Sequence, residues 1–236
     1  GLVGSEMCIR DSDTYVEFES GTARLMETHP SISMTEEYVL IEMMPDKYKV
    51  TAKFNFYNSG ESTSVLVGFP IEGNRVKNGQ DFTYFKTWVN NDLKIVKNIK
   101  GDSIKHIPKY RGFKVKTVWF PSFSTTTSIV EYAAGYGSVT LGPMMVGYDY
   151  STGGSWKGPI GKAIFDIRFS EELLGLEITL EEKTKYSLIH RSYGQMVFEI
   201  KDIEPQLYAK FTIWFYPLSF CTIRPKYCLL YTSDAA

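Results

Sequence analysis

Apolar and polar residues alternate along much of this chain. In Lys47–Tyr57, the residues Tyr48, Val50, Ala52, Phe54 and Phe56 share one parity, and Lys47, Lys49, Thr51, Lys53 and Asn55 share the other. A period of two marks a strand half buried on one face. Ala163, Phe165, Ile167 and Phe169 repeat the pattern against Lys162, Asp166 and Arg168. So do Leu207, Ala209, Phe211, Ile213 and Phe215, and more briefly Met196, Phe198 and Ile200. Phe113, Val115, Thr117 and Trp119 stand opposite Lys114 and Lys116. Tyr38–Met43, Ser64–Phe69, Phe82–Val89 and Ser128–Ala133 are further strands, less cleanly one-sided.

Turn chemistry separates the runs. Asn58-Ser59-Gly60-Glu61 suits a short hairpin, and Asn90-Asn91-Asp92 does the same between Phe82–Val89 and Leu93–Val96. Pro45, Pro70 and Pro121 are expected at strand ends, where a missing N–H does least harm. The one helical signal is a single turn at Ser170–Leu174, with Ser170 as cap. Roughly ten closely spaced strands predict an all-β fold, an antiparallel, immunoglobulin-like β-sandwich. Gly135, Gly137, Gly142 and Pro143 mark the best internal boundary. It separates a β-sandwich subdomain at 34–140 from a second β layer or subdomain at 141–217. An N-terminal segment at 13–33 precedes them and a tail at 218–227 follows.

The two ends read differently. Leu2–Ser12 and Cys228–Ala236 resemble translations of the adaptor DNA used in transposon-based sequencing libraries, in opposite orientations. The expectation is that 1–12 and 228–236 are adaptor-derived and that native sequence runs from Asp13 to Tyr227. The 236 residues carry 26 basic and 27 acidic side chains, a formal charge of -1. Either way the balance argues against non-specific nucleic-acid binding, which needs a basic excess. No apolar run approaches the roughly 20 residues of a membrane span. Excluding the ends leaves Cys221 alone, so the native part has no intrachain disulfide.

Chemistry is sparse. His29, His106 and His190 form no pair at metal-ligand spacing. No nucleophile elbow, phosphate loop or calcium loop occurs, so no catalytic residue, metal ligand or cofactor is assigned. The most individual stretch is Tyr148–Gly161, with four glycines, Pro159 and Trp156. It has two readings. One is a binding loop, with Trp156, Tyr148 and Tyr150 as a stacking platform and Lys157 beside them. The other is a structural corner joining two strands. At Trp119-Phe120, alternation sends the two rings to opposite faces, so at least one belongs to the core.

Four stretches together resemble a family of secreted bacterial β-rich proteins known only as a domain of unknown function. They are His29-Pro30-Ser31-Ile32-Ser33-Met34, Phe56-Tyr57-Asn58-Ser59-Gly60, Val67-Gly68-Phe69-Pro70, and Tyr150 to Gly161 with its Trp156-Lys157-Gly158-Pro159-Ile160-Gly161 ending. The resemblance implies an exported protein and supplies no reaction. The expectation is therefore an extracytoplasmic, periplasmic or cell-surface β-sandwich module. Its role would be non-enzymatic binding or envelope structure, with a glycan or an envelope protein as partner. A carbohydrate-binding module using the Trp156 loop is the first alternative. A hydrolase whose acids converge only in the fold is the second.

Overall fold

The computed structural model describes residues 17–21, 23–26, 29–74, 82–100, 112–138, 143–173, 177–180, 186–204 and 210–215. The expectations for 1–12, 218–227 and 228–236 lie outside the described residues, as do Leu207, Ala209, Cys221 and His106.

The alternating runs become strands: β1 (Glu17–Gly21), β2 (Arg24–Leu25), β3 (Ile32–Met43), β4 (Tyr48–Asn58), β5 (Thr63–Asn74), β6 (Tyr84–Val89), β7 (Asp92–Leu93), β8 (Lys97–Lys100) and β9 (Gly112–Phe120). They continue with β10 (Ser124–Ala134), β11 (Gly137–Ser138), β12 (Met144–Asp149), β13 (Ile160–Phe169), β14 (Glu177–Leu180), β15 (Ser187–Ser192), β16 (Gln195–Ile203) and β17 (Lys210–Phe215). The fold is all-β. Among the described residues no helix is long and apolar enough to cross a membrane.

The strands form two sheets. The first runs β14-β17-β12-β1-β5-β9-β8, with β11 on β12 and β2 on β5; the second runs β15-β16-β13-β3-β4-β10-β6-β7. Segments 34–140 and 141–217 contribute strands to both. Most ladders are antiparallel as expected, but β1–β12 and β3–β13 are parallel. A parallel pair needs a crossover, and here the crossover is the passage between sheets. One apolar cluster fills the space between the layers. Phe56 of the second sheet meets Phe120 of the first edge-on at 5.8 Å, and Phe165 stacks on Phe211 at 4.6 Å. Fully burying such a side chain contributes about 1.5–3 kcal/mol.

The turns explain how one chain builds two layers. Asn90 and Asn91, with φ of 49° and 72°, close the β6–β7 hairpin, because Asn tolerates the left-handed region that a two-residue hairpin turn requires. The hairpin expected at Asn58–Glu61 is corrected: β4 pairs with β3 and β10, whereas β5 pairs with β9, β1 and β2. The segment is an arch between sheets. The Asn58 side chain holds it, accepting from Gly60 N–H at 3.0 Å and donating to the carbonyls of Glu61, Phe120 and Pro121 at 2.8, 3.2 and 3.2 Å.

Two smaller expectations also change. Pro70 lies inside β5 and not at its end, where β5's neighbour on one edge passes from β2 to β1. Glu171–Leu173 makes the expected single turn, closed by Leu173 N–H on Ser170 O at 3.0 Å, but among the described residues the buried Ser170 hydroxyl has no hydrogen-bond partner, so it does not act as the expected cap.

Candidate functional site

The Tyr148–Gly161 stretch is a corner that carries the chain from β12 in the first sheet to β13 in the second. Trp156 is 5% exposed; its ring lies 4.2 Å from Phe56 and its indole N–H donates to Ala23 O at 2.7 Å. Tyr148 is buried and donates to Glu37 Oε1 at 2.6 Å, and buried Tyr150 packs near Phe165. The exposed stacking platform is therefore corrected: Trp156, Tyr148 and Tyr150 are core side chains that tie the sheets together. A large amphipathic ring gains more by filling the inter-sheet space, with its one polar atom satisfied, than by standing in water. Lys157 alone stays exposed. Its backbone N–H donates to Ile32 O at 2.9 Å and its ammonium to Ser59 Oγ at 3.2 Å.

Glycine is required twice here. Gly158 adopts φ +68°, and a Cβ on Gly161 would stand 2.7 Å from Thr35 O, where β13 runs beside β3. Three of the stretches carrying the family resemblance meet at this corner. Ser31 Oγ lies 3.1 Å from His29 Nδ1 and donates to Asn58 Oδ1 at 2.7 Å, and Ser59 N–H donates to Ser31 O.

Among the described residues, the buried acids Glu37 and Asp166 are each held by hydrogen bonds from neighbouring side chains. A β-bulge in β3 between Met34 and Glu36 reverses the parity and turns Glu37 into the core, where it accepts from Tyr148. Asp166 is 3% exposed and accepts from Tyr38 Oη at 2.7 Å, Arg168 Nη2 at 2.8 Å and Gln195 Nε2 at 2.8 Å. Burial alone raises its pKa; the hydrogen bonds from Arg168, Gln195 and Tyr38 outweigh that and hold it below the usual carboxylate value. Asp166 therefore contributes stability that is present above the unfolded carboxylate pKa and is lost as pH falls through the folded one. D166N is expected to cost about 1–3 kcal/mol at neutral pH and to shrink the loss of stability below about pH 4. Urea unfolding at both pH values checks this, and an unchanged acid limb would contradict it. Among the described residues no group of three or more His, Cys, Asp or Glu side chains is placed to hold a metal ion.

The unusual chemistry sits in β9. Its alternation is as expected, but the lysine parity is the inner one. Lys116, Val118 and Phe120 are buried toward the other sheet. Phe113 and Val115 form a separate cluster with Met26 and Ile99 on the opposite face, where Trp119 is 55% exposed. Lys116 reaches across the sandwich to β6 and β10. Its ammonium nitrogen meets Thr87 Oγ1, Ser128 Oγ at 2.7 Å and Trp88 O at 3.4 Å. Burial lowers its pKa to about 7, with a smaller push from the Lys94 ammonium. Lys114 lies over the Phe82 and Phe85 rings at 5.8 and 5.2 Å and donates to Asn98 Oδ1 at 3.2 Å; burial lowers its pKa too.

Both lysines line one crevice between the sheets, with Phe69, Phe85, Thr87 and Ser128 among its walls. It is partly open and has room for about one water. No carboxylate among the described residues pairs with either lysine. Sequence reasoning passed over this site because apolar Phe113, Val115 and Trp119 mark the wrong face as core. The missed signal is Val118 and Phe120, which continue the lysine parity.

No protein-family model matches the sequence. No curated protein matches it either. Among solved structures, the fold is similar to that of a candidate nutrient-binding protein of Legionella pneumophila. The two chains are 19% identical with a TM-score of 0.72, over 95% of this chain and 79% of the other. An M1 zinc metallopeptidase of Deinococcus radiodurans overlaps 80% of this chain and 43% of its own at 9% identity and a TM-score of 0.41, a level that carries no argument. The Legionella likeness is a likeness of fold.

Proposed function

We propose that this chain is a binding module of an exported bacterial protein, an extracytoplasmic sandwich of immunoglobulin-like kind that takes one oxygen of a small carboxylate into the crevice between β5, β6, β9 and β10. The observation that carries the proposal is the pair Lys114 and Lys116. Lys116 is buried and Lys114 half-buried on the walls of this crevice, and no carboxylate among the described residues pairs with either. A buried cation is costly unless paired, and an anion entering the crevice would relieve that cost. The neighbour of similar fold is described as a candidate nutrient-binding protein, which supports a small-molecule ligand. The glycan alternative loses its main support with the burial of Trp156.

Isothermal titration of the full chain with acetate, acetamide and methylammonium tests this. Acetate is expected to bind, and acetamide to bind at least about tenfold more weakly, because a hydrogen bond to a charged group is worth about 1.5–3 kcal/mol. K114A should weaken acetate by a similar factor. Equal responses to acetate and acetamide would overturn the proposal.

A further inference from the structure

The two sheets lie strand over strand. Phe198 of β16 meets Phe211 of β17 edge-on at 5.8 Å, and Lys116 of β9 reaches Ser128 of β10 at 2.7 Å. The strand orders therefore place β14 and β15 at one edge of the sandwich and β7 and β8 at the other. Among the described residues, six of the ten exposed large apolar side chains stand on these two edges. Every residue of β15 is exposed, Leu188 and Ile189 included, and exposed Tyr186 and Tyr193 flank it. At the opposite edge Leu93 of β7 is exposed, and Ile95 just after it is 94% exposed. Single exposed apolar residues are ordinary, whereas clusters on open sheet edges mark contact surfaces.

Charge divides the same way. In the sequence, residues 82–116, which include β7 and β8, hold nine lysines and arginines against two acids. Residues 171–204, which include β14 and β15, hold eight acids against four lysines and arginines. The chain as a whole carries -1, so its two edges have opposite signs. Lys97 and Lys100 on β8 are exposed, and so is Glu172 ahead of β14. Opposite potentials draw the unlike edges of two molecules together and keep like edges apart. We propose that this chain assembles head to tail with further copies of itself, the β14–β15 edge of one copy against the β7–β8 edge of the next. In the first sheet the contact is between charges, the acidic stretch that holds β14 against Lys97 and Lys100. In the second it is apolar, Leu188 and Ile189 against Leu93 and Ile95. It is a contact of side chains more than of backbone, because β7 has two residues and β15 carries a bulge between Leu188 and His190. Unlike edges meet, so each pair leaves one edge of each kind free. A contact of this kind grows into an open chain or closes into a ring.

The test is sedimentation velocity of the full chain over a concentration series, in reducing buffer so that Cys8, Cys221 and Cys228 form no links. The mean mass is expected to rise past two copies. Association should weaken about tenfold or more between roughly 0.05 and 0.5 M salt, because exposed charges are screened. I95S, a change at a site too exposed to disturb the fold, should weaken it about tenfold through lost apolar contact. K97E with K100E puts acids on the basic edge, and E172K with E177K puts bases on the acidic edge. Each double variant alone should stay monomeric. In an equimolar mixture the unaltered acidic edge of the first meets the unaltered basic edge of the second, so pairs should form with the affinity of the original chain. A single copy at every concentration, a dimer that does not grow, or a mixture that stays monomeric would overturn the proposal. So would a monomer that binds phosphatidylglycerol vesicles and not phosphatidylcholine ones, which would assign the basic edge to an anionic membrane.

Discussion

W156A is expected to lower the unfolding free energy by about 3–5 kcal/mol, the range for removing a large buried aromatic side chain. Trp156 fills the joint between the layers against Phe56 and Phe120, and Ser155 beside it accepts the Leu25 N–H at 2.8 Å. Truncation therefore opens a cavity where the corner fastens β2 to the rest of the sandwich. W156F should cost less, about 1–3 kcal/mol, mainly because Ala23 O loses its donor. Urea unfolding of the two variants gives both numbers. A loss below about 1 kcal/mol for W156A, the ordinary size of a point mutation's effect, would mean that the corner is not a structural joint.

The second large effect is an unusual pH dependence. In the unfolded chain Lys116 holds its proton up to its ordinary pKa of 10.5, but in the folded protein only up to about 7. Below pH 7 both states carry the charge and the burial penalty is fully present. Between pH 7 and pH 10 the folded protein sheds the proton and the unfolded chain keeps it, so stability rises with pH, by an amount of order a few kcal/mol. Above about pH 10 the rise ends. Tyr38, Tyr84 and Tyr136 have pKa values raised chiefly by burial, so they ionise first in the unfolded chain and draw the equilibrium toward it. K116M, close in length and uncharged, should flatten the profile between pH 7 and pH 10. Denaturation of both proteins across that range is decisive; parallel profiles would show that Lys116 does not carry the effect.

Much of the architecture is legible in the alternation. Lys47–Tyr57 became β4 within a residue at each end, and Asn90-Asn91 closed the short hairpin expected there. Trp119 and Phe120 face opposite ways, outward and inward, as a period of two demands. What alternation cannot carry is which strand pairs with which. Asn58–Glu61 has the composition of a hairpin, yet its side-chain hydrogen bonds bend it into an arch, because they reach Phe120 and Pro121, about sixty positions away in sequence. The same limit hid the candidate site. Lys116 meets Thr87 and Ser128 only when two sheets close on each other, and nothing local to any of the three residues announces it. The Trp156 stretch drew attention by composition, and its glycines and Trp prove to be the requirements of a tight corner.

The central claim is that Lys114 and Lys116 hold a small carboxylate, and the protonation of Lys116 reports on it directly. The measurement is an NMR titration of the lysine side chains in isotopically labelled protein, without and with saturating acetate, with the Lys116 signal assigned by K116M. In free protein Lys116 is expected to titrate near 7. With acetate bound, an anion beside the ammonium should raise that value, since binding an anion and holding the proton favour each other. A Lys116 that titrates at its ordinary value, or one whose titration is unmoved by acetate, would contradict the account.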